Sequence, residues 1–235
     1  GLTSLGVSIP EIFHAVALLN IVVAIYIYTL VPEFLMRFLS WILVSALYRI
    51  KVDAIGQIPD EGPALLVCNH VSYMDALIIG GVVRRPVRFV MHQRIFDIPV
   101  LRFIFRTAKA IPIAGYKEDP ALLERAFDTI DRALADGELV CIFPEGALTS
   151  DGAIAPFRRG LEKILARRAV PVIPLALRGL WGSVFSHRDS TLGRVRLPRR
   201  FRARIALAVG VAQAPGQVDA AILEICVRQL RGACA

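Results

Sequence analysis

Residues 69–75 read Asn69-His70-Val71-Ser72-Tyr73-Met74-Asp75, and 73 residues beyond His70 the chain reads Phe143-Pro144-Glu145-Gly146. Each segment follows an apolar run, Ala64–Cys68 in the first case and Leu139–Ile142 in the second. A histidine near a carboxylate is the material of general-base catalysis. The acid fixes one imidazole nitrogen and the other takes a proton, in a group that ordinarily titrates at about 6.5. Five residues apart on one helix, His70 and Asp75 would diverge by roughly 140°. They can meet only if a strand ends near Asn69 and a helix begins near Ser72, so that the turn folds His70 back over the first helical turn. Ser72-x-x-Asp75 is also a capping box, which would use Asp75 to hold a helix start. The two readings are compatible, because a capped helix is a rigid mount for the carboxylate.

The Pro-Glu-Gly turn offers a second reactive surface. Glu145 could hold acceptor hydroxyls and Arg158, in Phe157-Arg158-Arg159-Gly160, could pair with a phosphate. Alternatively Pro144 and Gly146 do only the backbone work of a strand exit. Asn69 and Ser72, flanking the histidine, join Glu145, Gly146 and Arg158 as candidate substrate-binding residues. Cys68 shares His70's side of the strand by alternation and is the other possible nucleophile, but it sits inside a buried run. His14, His92 and His187 have no partner in the sequence pattern.

These turns need a scaffold. Beyond residue 50 the pattern alternates, with strands predicted at 51–55, 64–69, 87–91, 110–113, 138–143, 171–177 and 202–210. Helices fit 73–83, 97–107, 119–135, 157–168 and 217–231. Alternation of this kind predicts an α/β domain, residues 51–235, with a mostly parallel central sheet flanked by helices. In such sheets ligands bind beyond the carboxyl ends of the strands, where both turns would lie.

Residues 1–50 differ. No formal charge falls between Glu11 and Glu33, and the 21 uncharged positions 12–32 meet the roughly 20 needed to cross a hydrocarbon core. A second apolar stretch, 34–48, groups Arg37, Ser40, Ser45 and Arg49 on one side of a helical wheel. It suits a helix lying in the interface, with Trp41 and Tyr48 at headgroup depth. The expectation is an apolar, membrane-associated helical module whose C-terminal side, rich in Arg and Lys, is cytoplasmic. A start at Gly1 without a charged leader reads as a domain of a longer protein.

Composition agrees. The 235 residues are 55% hydrophobic with a net charge of +8, and the mean hydropathy is +0.56. Basic charge mixed with so much apolar sequence points to a membrane surface rather than nucleic acid. Arg84–Lys109 and Arg188–Arg204 each hold seven basic residues and one acid, a face for anionic lipid or other phosphate-bearing ligands. Phe89, Phe96, Phe103 and Phe105 could border an apolar groove or pack in the core. Four cysteines without zinc spacing predict no metal. No G-x-S-x-G elbow and no phosphate loop is present.

Taken with Val170-Pro171-Val172-Ile173-Pro174, the two turns resemble, in order and spacing, the motifs of the glycerolipid acyltransferases related to 1-acylglycerol-3-phosphate acyltransferase. The resemblance covers about residues 50–210. It implies acyl transfer from a coenzyme A or acyl-carrier-protein thioester, a co-substrate rather than a cofactor, to the hydroxyl of a lysophospholipid. It makes His70 the base and Asp75 its partner, and gives Glu145 and Gly146 to acceptor binding. Two departures stand out: Gly146 is followed by Ala147-Leu148-Thr149-Ser150 where the family has Gly-Thr-Arg-Ser, and 110–115 lacks the arginine of another motif. Both arginines are associated with the acceptor's phosphate, which favours a phosphodiester such as lysophosphatidylethanolamine over a lysophosphatidate. The chain also resembles the acyltransferase part of bacterial fusions with a lysophospholipid transporter, implying the cytoplasmic face of an inner membrane. From another class, a non-catalytic membrane-binding or transporter-regulating domain of the same fold is the alternative.

Overall fold

In a computed structural model the described residues are 8–30, 32–183 and 202–232, with the side chains of 99–101 set aside. The N-terminal helix α1 (Ile9–Leu30) opens on a capping box, in which the Ser8 backbone N–H and hydroxyl both donate to the Glu11 carboxylate, at 2.7 and 2.8 Å. It buries none of its residues and is long and apolar enough to cross a membrane. Helix α2 (Pro32–Leu47) follows, then β1 (Tyr48–Asp53), β2 (Ala64–Cys68), α3 (Asp75–Val82), β3 (Val87–His92), α4 (Pro99–Thr107) and β4 (Ile111–Ile113). The chain continues through α5 (Pro120–Ala135), β5 (Leu139–Ile142), α6 (Gly160–Arg167), β6 (Val172–Arg178), β7 (Ala203–Val209) and α7 (Ala220–Gly232).

The seven strands form one sheet in the order β1-β7-β6-β2-β5-β3-β4. Strands β2 to β6 are mutually parallel, while β7 is antiparallel to β6 and carries the parallel β1 at the edge. The mostly parallel sheet therefore holds. Alternate residues of β2 face two cores: Ala64, Leu66 and Cys68 join α2 and α3, while Leu65 and Val67 join α5, α6 and α7. All five are fully buried, so β2 reads as an uninterrupted apolar run, as a strand covered on both faces must. Leu65, Leu66 and Val67 each contribute about 1.5–3 kcal/mol through burial.

Helix α2 departs from an interfacial helix with its polar side in water. Arg37 turns inward and its Nε donates to the Val83 carbonyl at 2.7 Å, while Phe34, Phe38, Trp41 and Ile42 point outward. Gly81 allows the close approach of α3, since a Cβ there would lie 3.0 Å from the Trp41 backbone nitrogen. Tyr48 is not at headgroup depth. The helix ends at Leu47, and Tyr48 starts the edge strand with 1% of its surface exposed.

Because β1 and β7 run against the other five strands, the start of β1 lies at the same edge of the sheet as the carboxyl ends of β2, β5 and β6. The apolar helices thus enter the domain at the edge that carries His70.

Candidate active site

The site grows from three adjacent strand ends, β6, β2 and β5. Leaving β2, Asn69 spends its carboxamide on β6: its NH2 donates to the Leu177 carbonyl (3.1 Å) and its oxygen accepts from the Leu177 N–H (2.8 Å). The side chain is wholly buried. Asn69 therefore fixes where the turn leaves the sheet, and it has no face open to a substrate.

One carboxylate oxygen organises the turn. Asp75 Oδ2 lies 2.9 Å from His70 Nδ1 and accepts from the backbone N–H groups of Val71 (2.7 Å) and Ser72 (3.0 Å). The capping-box contact and the histidine contact thus coexist on a single atom. Asp75 opens α3 and has no exposed surface, whereas a quarter of the His70 side chain remains exposed. With Nδ1 committed to the carboxylate, Nε2 is the nitrogen left to take a proton. The ring stacks on Phe143 from β5's exit, with centroids 4.3 Å apart and 21° between planes. Ser72 is buried, and its hydroxyl accepts from the Met74 N–H at 3.2 Å, so its place too is in the frame of the turn.

Glu145 ties the two motifs together. Oε1 accepts from the His70 N–H at 2.6 Å and Oε2 from the Ala155 N–H at 2.7 Å. The Thr149 N–H adds a bond to the His70 carbonyl at 3.0 Å. Glu145 is 4% exposed. Burial pushes its pKa up, more than the two backbone donors and nearby His70 pull it down. No hint of this latch lies in the spacing, because it joins residues 75 apart through a side-chain rotamer.

Gly146 has φ +71°, and a Cβ there would come within 2.7 Å of the Arg158 guanidinium carbon. The positive φ favours glycine, and a side chain there would also have to push the flexible guanidinium aside. The Arg158 N–H also donates to the Pro144 carbonyl at 2.9 Å. An exposed cation therefore lies flat on the Pro-Glu-Gly turn, beside the histidine's motif. Further out, Glu224 of α7 accepts from the Phe157 N–H, and Arg228 and Arg231 donate to the carbonyls of Ile154 and Gly152.

Other sequence candidates fall away. Cys68 has no exposed surface, and burial pushes its thiol well up, the reverse of an activated nucleophile. Phe89 is core, and Phe96 and Phe105 pack against that core, while Phe103 is exposed. His92 does have a partner, Glu118, at 2.9 Å on the surface. In the first basic cluster Arg84, Arg88, Arg94 and Lys109 pair with Asp60, Glu138, Glu118 and Glu33, and Arg85 donates to three backbone carbonyls. Most of the second cluster, with His187, lies outside the described residues. No group of three or more metal-ligating side chains occurs among the described residues. A cavity of about 270 Å³ between α2, β1 and α3 is lined by residues that include Trp41, Tyr48 and Gly81, but not His70.

A family model described as Acyltransferase matches residues 49–178. The chain is 26% identical to the chloroplastic 1-acyl-sn-glycerol-3-phosphate acyltransferase of Brassica napus over 152 residues, 63% of this chain and 42% of the relative. It is 33% identical to the lyso-ornithine lipid O-acyltransferase of Rhizobium meliloti over 106 residues, 45% of this chain and 35% of the relative. The chain thus spans less than half the length of these relatives. The crystal structure of the 1-acyl-sn-glycerophosphate acyltransferase PlsC from Thermotoga maritima superposes with a TM-score of 0.64 at 21% identity, covering 81% of this chain and 74% of that one. That likeness is one of fold. A match that begins at Arg49, ends at Arg178 and encloses both turns and β6 places the chain in the acyltransferase family, among its glycerolipid members.

Proposed function

We propose that this chain transfers a fatty acyl group from a coenzyme A or acyl-carrier-protein thioester to the hydroxyl of a lysophospholipid. The observation that carries this reading is the His70 Nδ1–Asp75 Oδ2 contact of 2.9 Å on a ring that keeps part of its surface open. His70 Nε2 takes the proton of the acceptor hydroxyl as its oxygen attacks the thioester carbonyl carbon. The tetrahedral intermediate then collapses, the carbon–sulfur bond breaks, and the proton passes to the departing sulfur. Products are a new ester and a free thiol, and no acyl-enzyme is formed. Holding both substrates at one bilayer edge supplies much of the rate through effective concentration. Turnover by a panel of lysolipids with both donor types, with His70→Ala as control, tests the reading. A His70→Ala protein as active as wild type overturns it.

A second reading, lysophosphatidate as acceptor, is favoured by one feature: Arg158 supplies a cation at the turn where the family motif's arginine is missing. The same contact yields a prediction. In Gly146→Ala the new methyl displaces the guanidinium and strains a positive-φ position by about 1–2 kcal/mol. The KM for a phosphate-bearing acceptor should rise about tenfold, as expected for one lost charge-assisted contact, with the thioester KM unchanged. Equal changes in both KM values would exclude Arg158 from the headgroup.

We place the reaction at the cytoplasmic face of a bacterial inner membrane, as a domain joined to or working beside a lysophospholipid transporter. Support comes from the unburied, apolar α1 and the outward aromatic face of α2. On α4, exposed Phe103 lies between Arg102 and Arg106, neither of which has an acidic partner among the described residues. Such a patch suits anionic headgroups. A high-salt wash, which strips purely electrostatic association, should leave the protein with the membrane fraction. Release into the soluble fraction would show that α1 does not insert.

A further inference from the structure

One side of the dyad is complete and the other is not. Asp75 Oδ2 holds three donors, but Oδ1 is buried without a hydrogen-bond partner. A buried carboxylate oxygen left bare keeps the full cost of its lost hydration, and folded proteins supply nearly all such atoms with a protein or water donor.

Three observations bring one side chain to that oxygen. Helices α2 and α3 run antiparallel, with Arg37 bonded to the Val83 carbonyl and Trp41 against Gly81. Continuing that pairing to the end of α2 at Leu47, about 9 Å of helix, carries the chain toward the first residues of α3, where Asp75 stands, and Tyr48 follows at the start of β1. Next, Tyr48 is 1% exposed and its hydroxyl is enclosed within the same core cluster that holds Cys68 and Met74. Finally, the phenol responds to this neighbourhood. Burial pushes it up, the neighbouring Ser183 side chain pulls it down, and the charge of Asp75 pushes it up again. The hydroxyl makes no direct hydrogen bond among the described residues, which leaves its proton for the carboxylate.

We infer that Tyr48 is a positioning residue for the dyad, its hydroxyl, itself buried without a direct partner, donating to Asp75 Oδ1 through one enclosed water. This deepens the assignment of His70 as the base and rests on it. The carboxylate would then be held from two sides, by the β2–α3 turn through Oδ2 and by the first residue after α2 through Oδ1. Since α2 presents its other face outward with α1, the bilayer-facing unit ends on the residue that steadies the carboxylate orienting the base.

Tyr48→Phe in the full chain, in lipid nanodiscs, removes the hydroxyl and keeps the ring. The KM values for donor and acceptor should hold while kcat falls roughly tenfold, about the worth of one hydrogen bond. The low-field proton resonance of His70 Nδ1–H, assigned by its loss in His70→Ala, should move further downfield. With one donor gone, Asp75 concentrates its charge on the remaining ones. A protein that merely packs less well would not move that resonance in this sense. Wild-type kcat with an unmoved resonance overturns the inference. If Tyr48→Phe melts below the assay temperature, Ser183→Ala, which loosens the phenol and spares the ring, must show the same downfield movement, and an unmoved resonance there overturns it too. Activity retained in His70→Ala would instead defeat the base assignment, while an inactive His70→Ala beside a fully active Tyr48→Phe defeats only the role of Tyr48.

Discussion

Replacing His70 by Ala should lower kcat about a thousandfold or more while leaving the melting temperature nearly unchanged. General-base catalysis contributes about 10²–10⁴-fold, and among the described residues no second base stands ready. Asp75 is sealed from solvent, and Glu145 is spent on two backbone N–H groups. The fold should survive because the ring is partly exposed and its main apolar contact is the stack on Phe143. Two companion variants make the result specific. Asp75→Asn should lose activity with a smaller loss of stability, since its one acceptor oxygen can still take the three donors but a neutral amide cannot stabilise the imidazolium that forms. Cys68→Ala should remain active, because a thiol with no exposed surface and a raised pKa is not a nucleophile. The readouts are ester formation from a labelled thioester and thermal unfolding of each variant. A His70→Ala enzyme within tenfold of wild type would leave the dyad without its proposed work.

Much of this arrangement was legible in residues that obey a local rule. Strands β2 and β5 announce themselves as apolar runs because they are buried on both faces, and the Asn-His and Pro-Glu-Gly turns follow them as strand exits must. The 140° divergence of His70 and Asp75 on a single helix already required the strand–turn–helix bend that brings them within 2.9 Å. Tyr48 shows where locality fails. Tyr48, Ile50 and Val52 alternate with Arg49, Lys51 and Asp53, a strand pattern, yet the helical signal of 34–47 runs into it and masks the boundary. Long-range pairings are opaque for a different reason. Arg88 meets Glu138 and Asn69 meets Leu177, partners 50 and 108 residues away whose encounter depends on strand order. A basic run in sequence therefore looked like free charge, and the buried Asn69 looked like a substrate contact.

Glu145 brings the second large effect, and it separates two roles for one carboxylate. If Glu145 is a latch, Glu145→Gln should reduce kcat about a hundredfold, because displacing a catalytic group by even 1 Å can cost that much. An amide has one acceptor end, so it can serve the His70 N–H or the Ala155 N–H but must turn its NH2 toward the other. The loss of a charge-assisted bond should lower stability by about 1.5–3 kcal/mol, and KM for the acceptor should stay constant. If Glu145 instead held the acceptor's hydroxyls, KM would rise and the melting temperature would not move. The pH dependence of stability adds an independent sign. Burial raises the carboxyl above its ordinary range, so the native state keeps this proton to higher pH than the unfolded chain does. Where the native state binds more protons, stability falls as pH rises. This group's contribution is therefore fully present below the ordinary glutamate range and is lost as pH climbs through the raised value. Glu145→Gln, which cannot titrate, should flatten the stability curve in that window. A variant with unchanged slope, unchanged melting temperature and a weakened acceptor KM would move Glu145 from the frame of the site into its floor, where the lipid lies.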